Sequence, residues 1–175
     1  MRSRAYLRPE DYDAWSLCPG KPALEEGEDN DSMRVETPPK GGTWLDISTV
    51  TGEPGALSFV ERINVTEVGD KAEIEITSPH NASFLWIVAL AALIKYSLLL
   101  TVQKITFAGG ATHVPPTLEE LYIFGQAVTE AAAVSLRLRG DVAALDHTVA
   151  GDVQCRSCRA RYRCPAYAKW VATIV

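Results

Sequence analysis

Residues 154–170 read QCRSCRARYRCPAYAKW. Cys155, Cys158 and Cys164 fall here in a C-x2-C-x5-C spacing, and the chain holds one other cysteine, Cys18, in Trp15-Ser-Leu-Cys-Pro-Gly. Three close thiols can serve one metal centre, and a fourth ligand must then come from far back along the chain. That requirement predicts an architecture in which residues near both ends of the sequence are joined at a four-cysteine site. Thiolates are soft ligands suited to an iron–sulfur cluster or to zinc, and four complete either coordination sphere. Structural zinc usually draws on two C-x2-C pairs, so one lone cysteine plus C-x2-C-x5-C favours a 4Fe-4S cluster, with Zn2+ as the alternative. Four unconnected buried thiols are the third possibility.

Bulk composition sets the frame around this segment. The 175 residues, 47% hydrophobic, are enough for a buried core and predict a single domain over 1–175. A net charge of −5 gives no global nucleic-acid signature. The charge is uneven, however. Residues 25–32 (EEGEDNDS) are acidic, whereas 155–169 carries Arg156, Arg159, Arg161, Arg163 and Lys169 without one acid. These five are the candidate DNA-contacting residues, with Tyr162, Tyr167 and Trp170 placed to stack on unpaired bases. Neutralisation of the thiolates and of the acidic loop is the plainer role for the same arginines. No basic segment followed by an apolar run opens the chain, so the expected compartment is the cytoplasm of a bacterial cell, or a host cell for a viral gene. The cysteines then point to metal rather than disulfides.

Local patterns predict the elements. Residues 9–17 read as a short helix stopped by Cys18-Pro19-Gly20, and 25–42 as a surface loop. Three β-rich stretches follow at Thr43–Val50, Leu57–Val68 and Ala72–Thr77, punctuated by turns at 52–55 and 69–70. The apolar run 84–102 approaches the length of a bilayer span, but Lys95 lies within it and no basic flank orients it. It is read as a buried helix over about 82–99 followed by a strand at Thr101–Ala108, with no membrane partner. Thr117-Leu-Glu-Glu120 is a capping-box pattern opening a helix to about Arg139, with Leu121, Phe124, Val128, Ala131, Ala132 and Leu136 on its apolar face. A last helix covers 165–173. The order predicts a mixed α/β domain with helices on a small sheet. His80, His113 and His147 share no spacing that suggests a site.

The cysteine pattern resembles that of the RecB-like, PD-(D/E)xK iron–sulfur nucleases, a superfamily that includes the CRISPR-associated RecB-like exonucleases and AddB. The nearest resemblance is to a phage- and prophage-encoded member, a domain of unknown function whose W-x2-C-P-G-x2-A-L signature is matched by Trp15, Cys18, Pro19, Gly20, Ala23 and Leu24. TLEELYIFGQAVTEAAAVSL and GDVQCRSCRARYRCPAYA are similar to its long helix and its cluster segment. The resemblance covers 12–26 and 117–170 and is weaker between. It implies a small restriction-endonuclease-like β-sheet flanked by helices, with cluster-binding ends at 12–26 and 150–175, a reduced nuclease core over 43–108 and a long helix over 117–139. Cys18, Cys155, Cys158 and Cys164 would ligate the cluster.

The implied catalytic centre departs from the family pattern. Two carboxylates should hold Mg2+ or Mn2+ beside a phosphate while a lysine supports the attacking water. Glu75 in Ile74-Glu-Ile-Thr77 can replace one acid, and Glu61 on the preceding strand is the nearest second, with Asp46 and Asp70 as others. Thr77 stands where the lysine belongs, and Ser83 and Ile87 occupy the expected Gln and Tyr positions. Lys71 or Lys95 would have to migrate into the lysine's role. The resemblance therefore implies a catalytically impaired, phage-type protein that handles DNA or serves as a scaffold. The alternatives are a non-enzymatic virion or interaction protein, assembled with other phage proteins, and an active metal-dependent exonuclease. Glu73 and Glu75 are equally explained as the exposed face of a hairpin.

Overall fold

The computed structural model describes residues 6–26, 43–51, 60–68, 71–78, 81–96, 100–107, 112–113 and 116–174. Its centre is α3 (Ala82–Tyr96), in which Phe84, Leu85, Ile87, Val88, Ala89, Ala91 and Ala92 are all buried. A helix apolar on nearly every side must be covered from several directions. Asn81 starts it: the Phe84 N–H donates to Asn81 Oδ1 at 2.9 Å. The Asn81 amide in turn donates to Asp13 Oδ2 at 3.2 Å, and the Ser83 hydroxyl donates to Asp13 Oδ1. The first turn of α3 is thereby tied to α1 (Tyr12–Leu17). Among the described residues no helix is long and apolar enough to cross a membrane.

α4 (Leu118–Arg137) covers a second side of α3. Its capping box forms as expected: Glu120 N–H donates to Thr117 Oγ1 at 3.2 Å and Thr117 N–H donates to Glu120 Oε2 at 2.7 Å. Leu121, Val128 and Ala132 are buried on its inner face, with Phe124, Ala131 and Leu136 packed against the same core. The two helices approach closely at Gly125, where a Cβ would come within 2.9 Å of Leu90 Cδ2. An aromatic chain closes the third side. Tyr12 meets Trp15 edge-on at 4.9 Å and Phe124 at 5.2 Å, and Phe124 meets Trp86 at 5.4 Å. Trp15 is 1% exposed, and its indole N–H donates to the Arg8 carbonyl at 2.8 Å, so its one polar atom is satisfied.

Backbone pairing sets β1 (Thr43–Asp46), β2 (Val60–Val68), β3 (Lys71–Ser78), β4 (Leu100–Phe107) and β5 (Thr112–His113) side by side in that order. β3 and β4 run parallel and the other neighbours antiparallel. The expected restriction-endonuclease-like sheet as the frame of an α/β domain is nevertheless overturned. Where side-chain packing is described, 76% of residues are helical and none lies in a strand. The described core is helix on helix, because α3 presents apolar surface on every side and α1 and α4 cover it. The stretch expected as a strand over Thr43–Val50 also changes character. It leaves the strand after Asp46 and coils as a 3-10 turn over Ile47–Val50, burying Ile47 and Val50 in the helical core. The turns at 52–55 and 69–70, most of the acidic loop (27–42), Asp70 and His80 lie outside the described residues.

Candidate metal centre

The Cys18 segment takes its shape from three consecutive residues. Cys18 N–H closes the last turn of α1 on the Ala14 carbonyl at 3.0 Å, and Pro19 cannot prolong the helix. Gly20 follows because a Cβ there would collide with the carbonyl oxygen of Ala144. Its N–H instead donates to the His147 carbonyl at 3.2 Å. A short helix, α2 (Lys21–Glu25), then begins, an element with no expectation from sequence. On the other side, a 3-10 turn over Val142–His147 leads into α5 (Asp152–Arg156), a second 3-10 turn at Arg161–Arg163 and α6 (Pro165–Ile174).

These elements bring the cysteines into one neighbourhood. α1 packs on α5, and the Val149 N–H donates to Cys18 Sγ at 3.3 Å. The Gly151 N–H donates to Cys155 Sγ at 3.4 Å. All four cysteines are free; Cys18, Cys155 and Cys164 are buried and Cys158 half-buried. Burial pushes the Cys18 thiol up, the Val149 and Lys21 N–H bonds pull it down, and neighbouring Cys164 and Cys155 push it up again. Cys158 is pushed up to about 11 by burial and by the Glu25 carboxylate, with Cys18 adding to the rise. Cys18 is thus within electrostatic reach of each of the other three.

Among the described residues, no group of three or more His, Cys, Asp or Glu side chains is arranged to hold a metal ion as it stands. The donor set nonetheless suits a soft metal. It consists of four unpaired thiols, and two already accept backbone N–H bonds of the kind that orient and stabilise thiolate ligands. A bound metal would reverse the upward pKa shifts, because a coordinating thiol is deprotonated outright. When bound, such a centre would supply a covalent tie between α1 and the segment from α5 to α6.

Charged residues unmarked in the sequence reading support the same region. Lys21, 2% exposed, reaches Glu25 Oε2 at 3.2 Å and Asp11 Oδ2 at 3.5 Å. A buried lysine needs partners of this kind to remain charged. The other Glu25 oxygen accepts the Arg159 N–H at 2.7 Å, and the Arg163 guanidinium donates to the Leu24 carbonyl at 3.3 Å. The i, i+4 spacing of Lys21 and Glu25 was the available sequence signal.

The basic residues fall on this same module. Arg156, Arg159, Arg163 and Lys169 are exposed and Arg161 half-buried. Arg161 lies over the Tyr162 ring at 4.8 Å and donates to its hydroxyl at 2.8 Å. Tyr162, 78% exposed, meets Tyr167 at 6.3 Å, and Tyr167 meets Trp170 at 5.9 Å. Arg161, Tyr162, Tyr167 and Trp170 therefore form one chain of contacts. The carboxylates expected to hold a catalytic metal lie on separate strands. Position 75 pairs with Asn64, whereas position 61 pairs with Leu45 on β1. Position 46 pairs with Val60. Thr77, aligned with Thr106, is flanked by no described lysine on β3 beyond Lys71. A comparison with protein-family models, curated proteins and solved structures found no match.

Proposed function

We propose that this chain is a non-catalytic metal-cluster protein that handles DNA or acts as a scaffold, in the manner of the phage-encoded iron–sulfur proteins its cysteine spacing resembles. The observation that supports this is the Val149 N–H bond to Cys18 Sγ, which sets Cys18 beside the segment leading to Cys155 across more than a hundred residues of intervening chain. A 4Fe-4S cluster is the occupant the C-x2-C-x5-C spacing favours, with zinc as the alternative. The cluster's role is to lock α1 against α5 and α6, and so to hold the Arg156–Lys169 face in one shape. That face offers guanidinium and ammonium groups to phosphates and Tyr162, Tyr167 and Trp170 to unpaired bases.

Catalysis is left out because Thr77, which carries no charge, stands where the (D/E)xK pattern needs a lysine, so Mg2+ or Mn2+ is assigned no place. The setting that fits is the cytoplasm of a bacterial host, or a virion. A second reading, a protein-interaction module among phage proteins, is favoured by exposed aliphatics near the cysteines: Leu17, Leu145, Val149, Val153 and above all Val142, 93% exposed.

The deciding experiment is iron, sulfide and zinc analysis of anaerobically purified protein, followed by DNA-binding titrations at several salt concentrations. Stoichiometric metal with binding that weakens linearly in log salt supports the first reading. Metal with no DNA binding supports the interaction module. Protein without metal in either form overturns both as stated.

A further inference from the structure

The proposed metal centre needs Cys158, yet Cys158 is the one cysteine of the four that is not buried. Its position depends on the turn that follows it, and the Glu25 carboxylate is bonded to that turn. Glu25 Oε1 accepts the Arg159 N–H at 2.7 Å, one peptide beyond Cys158, while Glu25 Oε2 pairs with Lys21 Nζ at 3.2 Å. Lys21 is itself fixed to the other sulfur-bearing end, because its backbone N–H donates to the Cys18 carbonyl at 2.9 Å. The five-residue α2 is therefore a strut with Cys18 at one end and the Cys158–Arg159 peptide at the other. A carboxylate beside prospective thiolates is electrostatically unfavourable. Here both of its oxygens are committed, one to a buried ammonium and one to a backbone donor. No neutral side chain serves both partners: a Gln could accept from the Arg159 N–H, but its NH2 group would face the Lys21 ammonium.

We propose that Glu25 is a positioning residue for Cys158, presenting its sulfur to the centre shared with Cys18, Cys155 and Cys164; this rests on the metal reading above. Partners that orient metal ligands typically alter metal affinity by roughly 10–100-fold when removed. Glu26 supplies the control. It is the adjacent carboxylate, but it pairs with Arg139 at 3.1 Å on the surface.

The test is an anaerobic Co2+ titration of the full chain, reading affinity and the intensity of sulfur-to-cobalt charge-transfer absorption. Glu25→Ala is expected to weaken Co2+ by about 10–100-fold and to lower the absorption to that of a three-thiolate site. Glu26→Ala should leave both unchanged. In a Cys158→Ser background, Glu25→Ala should cause no further loss, since the two changes remove one and the same ligand. An equal loss in that background would overturn the proposal and make Glu25 a general support of the fold. Unchanged Co2+ binding in Glu25→Ala would also overturn it. If the wild-type chain takes up no Co2+, the metal reading itself fails and this inference with it, an outcome distinguished by the wild-type arm alone.

Discussion

Val149 donates its backbone N–H to the sulfur of Cys18 at 3.3 Å, across 131 residues of sequence. This bond joins the end of α1 to the segment entering α5, and nothing local to either residue would bring them together. It also makes Cys18 more than a candidate ligand, since its sulfur satisfies a part-buried donor.

Cys18→Ala should therefore destabilise the protein even without metal. Leaving a buried donor unsatisfied costs about 1–3 kcal/mol, and for a chain of this size that lowers Tm by several degrees. Thermal unfolding followed by circular dichroism of the metal-free protein checks this. Adding metal should raise the wild-type Tm by more than the variant's, because ligands that bind only the folded state stabilise it by mass action.

Trp15 is expected to be the most costly single truncation in α1. It is fully buried in the aromatic chain with Tyr12 and donates to the Arg8 carbonyl. Trp15→Ala should cost about 3–5 kcal/mol. Trp15→Phe keeps most of the packing and loses the indole donor, so it should cost clearly less. Urea melts of both variants test the order.

Two glycine substitutions should differ in cause. Gly20→Ala forces a Cβ onto the Ala144 carbonyl, backbone that cannot move aside cheaply, and overpacking of this kind typically costs about 1–3 kcal/mol. Gly140→Ala meets no neighbour, but Gly140 has a φ of +74°, a left-handed conformation that costs an L residue about 1–2 kcal/mol. Gly140→Asn, whose side chain tolerates that region, should recover part of the loss, whereas Gly20→Asn should not. Parallel denaturant titrations separate the two mechanisms.

The pH limits of stability follow from two groups. The hydrogen bonds from Thr117 hold Glu120 below the usual carboxylate range. Its contribution is present above the ordinary carboxylate pKa and is lost as pH falls through the depressed value. Thr117→Ala should cost about 1 kcal/mol at neutral pH and flatten the acid limb. Tyr6 behaves oppositely. Burial, then the Glu26 carboxylate, push it from 10.0 up to about 12, with Arg139 opposing. Its contribution is complete below pH 10 and is lost as pH rises toward 12. Tyr6→Phe should remove that alkaline loss, measured as Tm against pH.

Patterns confined to a few neighbouring residues were legible without coordinates. The Thr117–Glu120 capping box, the apolar face of α4, the all-apolar α3 and the stop at Cys18-Pro19-Gly20 each depend on interactions within one or two turns. What tertiary structure alone decided was long-range. The strut of Lys21 and Glu25 shows in sequence only as an i, i+4 pair, because its other partners, Asp11 and the Arg159 peptide, lie on other elements. Ile47–Val50 has the composition of a strand but coils, since burying Ile47 in the helical core outweighs a local preference for extended backbone. The pairing of position 61 with Leu45 and of position 75 with Asn64 likewise needed the register of β2 against both neighbours. Cysteine spacing alone raised the question of a shared centre. Only the packing of α1 on α5 brought Cys18 beside the segment that carries Cys155, because burial and backbone bonding between distant segments are properties of the folded chain.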